Sequence, residues 1–364
     1  DFGWAGLMPN TPATLTEARR LRDLFAAKVA QVIKADVLQP AEILLDLYGE
    51  DIRARSYLTS DPLRGEMVLR PDFTVPVVQM HMESRADPAR YTYSGKVFRK
   101  QETDETRANE YVQVGYEGFD GQNPAGADAE VFAAIAEGLA GLPVRASTGD
   151  IGVLMAAVRG LRTTDDRKAA LLRHIWRPGR FRAMLKRFGS DKVPPARAAL
   201  LAVDDPFGAA GPAIGLRSRA EVTARIAALR ADVAAPPISG EEIALIDAII
   251  GLRQTASNVL SALRDIAVDM PAIGDAVAGI DARLDALTAR GVDVDTLEFE
   301  GSYGRTSLEY YDGFVFGFYA TDHPELPPIA TGGRYDALTA QLGQGRAVPA
   351  VGGVIRPDLA VGLK

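Results

Sequence analysis

Residues Tyr91–Glu117, YTYSGKVFRKQETDETRANEYVQVGYE, hold two strand-like runs joined by a charged connection. Strand side chains alternate with period two. On the second run Tyr111, Gln113, Gly115 and Glu117 therefore share one face, and Val112, Val114 and Tyr116 share the other. A chain with this segment must build a sheet whose apolar face packs on a core. Its polar face carries Gln113 and Glu117, Arg99 ends the first run, and Gly115 is expected to let something approach the backbone closely. That face reads as the floor of a small-molecule site.

Composition narrows what such a site serves. With 364 residues and 38.9 kDa the chain has room for two domains and a sizeable core. Its 41 basic and 48 acidic residues give a charge of −7, which argues against broad nucleic-acid or anionic-membrane binding. One local basic patch, His174–Arg187, reads as the solvated face of a basic helix pair. Cysteine is absent, so thiol catalysis, thiolate metal sites and disulfides are excluded. His81, His174 and His323 lack ligand spacing, and neither a metal nor a cofactor is expected. No run of about 18 apolar residues and no signal pattern occur, so the expected compartment is the cytoplasm.

Along the chain, Thr16–Lys34 reads as an amphipathic helix with Leu21, Leu24, Phe25 and Val29 on one stripe. Asp36–Ile43 reads as a short edge strand, Arg64–Thr74 as a strand turning at Pro71, and Val75–Met82 as the start of a helix. Helix Ala127–Ala140 and strand Val144–Gly149 follow. Residues 153–290 are rich in Ala, Leu, Arg and Asp with Pro/Gly punctuation, and read as an inserted subdomain of helices only. Strands return at Leu297–Glu300, Leu308–Tyr319, Ala330–Gly333 and Ala350–Ile355, with a helix over Arg334–Leu342. Residues 1–152 and 291–364 are thus two parts of one core. The fold class is α+β, with a mixed or antiparallel sheet flanked by helices.

Several polar residues are expected to converge. Asp72 and Thr74 share a side if the backbone there is extended, and Gln113 and Glu117 share the strand face. Arg99, Tyr310, Tyr311 and a glycine turn at Gly332–Asp336 complete the set. Such a group suits a ligand with an ammonium, a carboxylate and a polar ring. Asp72 and Glu117 would take the ammonium, Arg99 and Gln113 the carboxylate or a phosphate, and the tyrosines the ring. Two desolvated carboxylates cost several kcal/mol per ion without a cation, so a cationic occupant is the simplest. Pairing of each carboxylate with a neighbour such as Arg70 is the structural alternative.

Five strings stand in a telling order: LRPDFT, YSGKVFRKQETDETRANEYVQVGYE, LEYYDGFVF, ATGGRYDALTAQLG and PAVGGVI. Together they resemble the catalytic domain of histidyl-tRNA synthetase over residues 16–150 and 297–360. The resemblance implies a class II aminoacyl-tRNA synthetase-like antiparallel sheet. It also implies dimerisation through the helix from Thr16 and the strand through Pro40. Carried onto this chain, Asp72, Thr74, Gln113 and Glu117 would line a histidine site, with Tyr310 and Tyr311 at the imidazole end and Arg99 at the activated carboxylate. Asp72 is one methylene shorter than the family's glutamate.

The departures point away from catalysis. Where the family has an arginine and glycine before Leu-Asp-Tyr-Tyr, this chain has Thr306 and Ser307, with Arg305 alongside. Asp358 and Leu359 stand where the third motif has Glu-Arg, Gln101 replaces a loop glutamate, and Asn109 replaces a loop arginine. An arginine acting on transferring phosphate charge is worth around 10³–10⁵ in rate, so little synthetase activity is expected. The sequence also stops at Lys364, and no anticodon-binding domain is expected. A core of this kind resembles the regulatory subunit of ATP phosphoribosyltransferase. That implies a short-form catalytic subunit as partner, histidine as effector, and no tRNA or membrane. The alternative is a histidine-activating enzyme that serves a non-tRNA acceptor.

Overall fold

The computed structural model describes the chain apart from residues 1–10, 49–54, 85, 102–106, 209–210, 212–213 and 306–309. Its strands are β1 (Gln31–Val32), β2 (Leu38–Pro40), β3 (Leu58–Asp61), β4 (Gly65–Leu69), β5 (Ala89–Phe98) and β6 (Glu110–Phe119), followed by β7 (Val144–Asp150), β8 (Arg253–Thr255), β9 (Glu298–Glu300), β10 (Phe314–Ala320), β11 (Ala330–Arg334) and β12 (Ala350–Ile355). Nine of them form one sheet in the order β1-β5-β6-β12-β11-β10-β7-β9-β8, and β2-β4-β3 form a small second sheet. From β5 to β7 every pairing is antiparallel, while β1–β5 and β7–β9 are parallel.

Alternation places β6 as expected, but both of its faces are buried. Val112, Val114 and Tyr116 pack with Leu21, Phe25 and Ile135 in the main core. Tyr111 and Phe119 pack with Phe73, Val77, Tyr91 and Tyr93 in a second cluster under the helix Thr74–Ser84. The polar floor is therefore roofed. What approaches Gly115 is the chain's own Tyr93, its cross-strand partner; a Cβ on Gly115 would meet the Tyr93 ring at 2.1 Å.

Several boundaries differ from the sequence expectation. The first helix runs Pro12–Ala26, not to Lys34, with Thr11 capping Thr14 and proline at its first position. Beyond it Val29 adopts a positive φ of 63° and is exposed instead of joining the apolar stripe. The strand near Pro40 covers only Leu38–Pro40, because Ala41 opens the helix Ala41–Tyr48. The strand before Pro71 ends at Leu69, so Asp72 and Thr74 do not lie on it. Instead the Asp72 carboxylate accepts the Thr74 amide at 3.1 Å at the start of a helix. Gly332 and Gly333 lie within β11, not in a turn, and the helix behind them begins at Asp336. The aromatic strand starts at Phe314, since Asp312 bonds the Arg334 carbonyl through its amide and caps Asp336 and Ala337 with its carboxylate.

The segment expected to hold helices only also contributes β8, which pairs with β9 at the sheet edge. Helix Gly274–Thr288 is tied to the sheet by buried charge. Arg283 donates to Asp128 and Asp150, each at 2.8 Å, and Arg334 donates to Asp128 at 2.6 Å. One guanidinium thus links the segment to the helix Pro124–Gly138 and the end of β7. No helix among the described residues is long and apolar enough to cross a membrane.

Candidate functional site

All seven residues singled out above line one cavity. Asp72 and Thr74 come from the bend that opens a helix, and Arg99 from just past β5. Gln113 and Glu117 come from β6, and Tyr310 and Tyr311 from the run before β10; Tyr335, Gly352 and Gly353 complete the wall. This cavity is small, about 30 Å³, which is room for on the order of two waters. It adjoins a cavity of about 330 Å³ with which it shares Arg99, Gln113, Tyr311, Thr331 and Val354. The larger space is lined by Arg55, Lys100, Arg107 and Arg356 as well as Arg99. Arg70 does not reach the carboxylates. It donates to the carbonyls of Lys96 and Ala35 and lies over the Phe73 ring.

Glu117 is the most constrained group in the site. Tyr93 donates to its Oε1 at 2.8 Å and Tyr335 donates to its Oε2 at 2.6 Å. On the third side lies Gly352, its cross-strand partner on β12, where a Cβ would sit 1.5 Å from Oε2. Only glycine leaves the carboxylate that place. Burial pushes the Glu117 carboxyl up to about 7, with the Tyr335 and Tyr93 hydroxyls pulling it down and Asp72 pushing it up. Burial also raises Asp72, against the charge of Arg99 and the amides of Val75 and Thr74. Desolvation works against the Arg99 cation, yet the nearby oxygens of Tyr111 and Asp72 hold its pKa above the usual value.

These features would suit a cationic hydrogen-bond donor. Desolvation raises both buried carboxyls, and a bound ammonium would offset that cost. Gln113, which lines both cavities, carries a buried Oε1 that has no hydrogen-bond partner among the described residues. An orphaned buried acceptor of this kind costs about 1–3 kcal/mol until a donor arrives. Arg99, whose Nε is fixed on the Pro71 carbonyl at 2.7 Å, also lines both cavities and suits an anionic group. Tyr310 and Tyr311 hold their rings 4.7 Å apart at a tilt of 58°, and Tyr310 meets the Tyr335 ring edge to face.

The departures have structural outcomes too. Thr306 and Ser307 lie outside the described residues. Arg305 does not stand in for the missing arginine: it lines neither cavity, donates to the Ile175 carbonyl at 2.8 Å and packs over Phe181. Asp358 pairs with Arg356 at 2.7 Å, and Leu359 is buried in the main core. Gln101 donates to the Ala108 carbonyl at 3.2 Å, and the Asn109 carbonyl takes the Arg99 amide. Sequence reasoning missed Tyr93, Gly352 and Arg356 as site residues, and named Tyr335 only as part of an expected glycine turn. Tyr93 stands opposite Gly115 only through strand pairing, and Gly352 opposite Glu117 likewise. No local pattern carries either fact.

Comparison with known proteins fits this geometry. The profile of the Histidyl-tRNA synthetase family matches residues 5–204 and 219–358. The ATP phosphoribosyltransferase regulatory subunit of Allorhizobium ampelinum is 32% identical over 356 residues, covering 92% of this chain and 94% of its own. That of Mesorhizobium japonicum is 30% identical over 359 residues, with 92% and 94% covered. Among solved structures, an ATP phosphoribosyltransferase regulatory subunit/histidyl-tRNA synthetase from Bacillus halodurans aligns with a TM-score of 0.66 at 20% identity, covering 98% of this chain and 84% of that one. Histidyl-tRNA synthetase from Nostoc aligns at 0.63 and 16% identity, covering 100% and 75%. The antiparallel class II synthetase-like fold and the extent of the sequence match agree: the chain belongs to the ATP phosphoribosyltransferase regulatory subunit family, within the wider histidyl-tRNA synthetase family.

Proposed function

We propose that this chain is a non-catalytic regulatory subunit. It assembles with a short-form ATP phosphoribosyltransferase catalytic subunit in the first step of histidine biosynthesis and binds histidine as the feedback effector. The observation that carries the reading is the convergence of Asp72, Thr74, Arg99, Gln113, Glu117, Tyr310 and Tyr311 on one cavity. Histidine supplies an ammonium for the carboxyls and the orphaned Gln113 oxygen, a ring for the tyrosines, and a carboxylate for Arg99. Because the inner cavity is only about 30 Å³, the ligand extends into the larger space or opens the floor. Feedback then requires that one assembly state bind histidine better than another, with a coupling of roughly 1–3 kcal/mol giving about a 5–150-fold effect.

On this reading the helix Pro12–Ala26 and the strand Leu38–Pro40 support self-association as a dimer. Residues 153–290 form a helical insertion within the core, tRNA is not a ligand, and the complex works in the cytoplasm. The test is reconstitution. Mixing the chain with the short catalytic subunit is expected to raise phosphoribosyl transfer and to make it sensitive to histidine, with calorimetry showing histidine bound to this chain. An unchanged rate and unchanged inhibition would refute the reading. Strong histidine-dependent ATP–pyrophosphate exchange by the chain alone would favour a histidine-activating enzyme instead.

A further inference from the structure

Inside the larger cavity an aromatic platform is covered by a side chain of the protein itself. Tyr111 projects from β6 into that space, and the Arg356 guanidinium lies over its ring, 4.1 Å from the centroid. Arg356 is held in place at both ends. Its Nη2 donates to Asp358 Oδ2 at 2.7 Å, and its backbone amide donates to the Ile329 carbonyl at 2.9 Å. The Asp358 side chain is 2% exposed, and Arg356 is its ion-pair partner among the described residues.

A tyrosine face beside cations is an effective seat for a flat anionic ligand, because any π-face stacks on it and the cations take the charge. Tyr111 has that setting, with Arg99 lining the same cavity. We propose that Arg356 is a specificity-determining residue that seals the Tyr111 face, so that the larger cavity excludes ligand parts carrying a nucleobase-like ring and admits those without one. A ring that displaced Arg356 would lose the cation–π contact and strand a buried Asp358 without its cation. The other tyrosines lining the cavity, Tyr303 and Tyr319, are set edge to face and joined hydroxyl to hydroxyl at 2.8 Å, and Arg145 lies over the Tyr319 ring, 5.5 Å from its centroid. The inference concerns the larger cavity and stands or falls separately from histidine recognition in the smaller one.

Calorimetry with two matched probes tests it: AMP and ribose 5-phosphate, which share a phosphate and a ribose and differ by the base. The full chain is expected to bind AMP no tighter than ribose 5-phosphate. Arg356→Ala should improve AMP binding about fivefold or more, the lower end of a base–aromatic stack, while ribose 5-phosphate changes in step with the lost charge only. Because the single variant leaves Asp358 unpaired and is at risk of not folding, the double variant Arg356→Ala/Asp358→Asn is measured alongside and is expected to show the same gain. Adding Tyr111→Ala should abolish that gain. Tight, base-selective AMP binding by the unaltered chain would overturn the proposal, as would no AMP gain in the double variant, or a gain that survives loss of Tyr111.

Discussion

Replacing Tyr335 with phenylalanine removes one oxygen and probes the least tolerant part of the site. The Tyr335 hydroxyl donates to Glu117 Oε2 at 2.6 Å, and both residues are about 1% exposed. A hydrogen bond to a charged group is worth about 1.5–3 kcal/mol, and one pKa unit corresponds to about 1.4 kcal/mol. Losing it should therefore raise the Glu117 carboxyl by roughly one to two units above its present value of about 7. The sign of the pH dependence follows. Glu117 has a folded pKa above the 4.5 of a free carboxyl, so the folded state holds the extra proton between them, and stability falls as pH rises from about 4.5 to about 7. In Tyr335→Phe that fall should continue to roughly pH 8–9. The destabilisation by the variant is then expected to grow by about 1–2 kcal/mol between pH 5 and pH 9, read by urea unfolding. At pH 7 the ionised fraction drops from near half to roughly 1–10%, so histidine binding weakens about 5- to 50-fold. A destabilisation that is the same at pH 5 and pH 9 would refute the reasoning, because it would mean that Glu117 does not ionise in that range.

Three further outcomes are expected. Gly352→Ala forces a methyl to within 1.5 Å of Glu117 Oε2 and should destabilise by about 3 kcal/mol with loss of histidine binding, whereas Gly274→Ala meets nothing within 4 Å and should be near neutral in the same thermal melts. Asp128→Asn takes a carboxylate from two buried guanidiniums, Arg283 and Arg334, and should cost about 3–5 kcal/mol. By comparison, Asp281→Asn at the exposed Arg264 pair should cost less than about 1 kcal/mol, both read by denaturant melts. Histidine binding at pH 7 should release about half a proton per site as Glu117 ionises, measured by calorimetry in buffers of different ionisation enthalpy; zero release would count against a partly protonated Glu117.

Much of the frame was legible because it is written in local periodicity. The alternation at 110–119 survives in β6 with each side chain on its expected face, and Ala350–Ile355 is a strand with the expected ends. Where local signals compete, ends move. Val29 fits the apolar stripe of the first helix, but the helix ends at Ala26 before reaching it. Asp72 and Thr74 converge on the cavity by a different route from the one expected, a helix-opening bend in place of an extended strand. The short strand β8 was invisible because three residues carry too little pattern, and it exists only through its pairing with β9.

The sequence by itself determined the alternating sheet, the absence of thiol chemistry, and the identities of seven polar residues that share a cavity. It did so because strand and helix periods, and the order of motifs, are properties of neighbouring residues. Tertiary structure alone decided that the polar floor is roofed, that Tyr93 and Tyr335 hold Glu117 from two sides, and that Gly352 makes room for it. It also decided that Arg356 lies over Tyr111. Each of these joins residues far apart in the chain through strand register and desolvation. Burial is what turns a row of ordinary polar side chains into a carboxylate poised near neutral pH, and burial is a property of the folded whole.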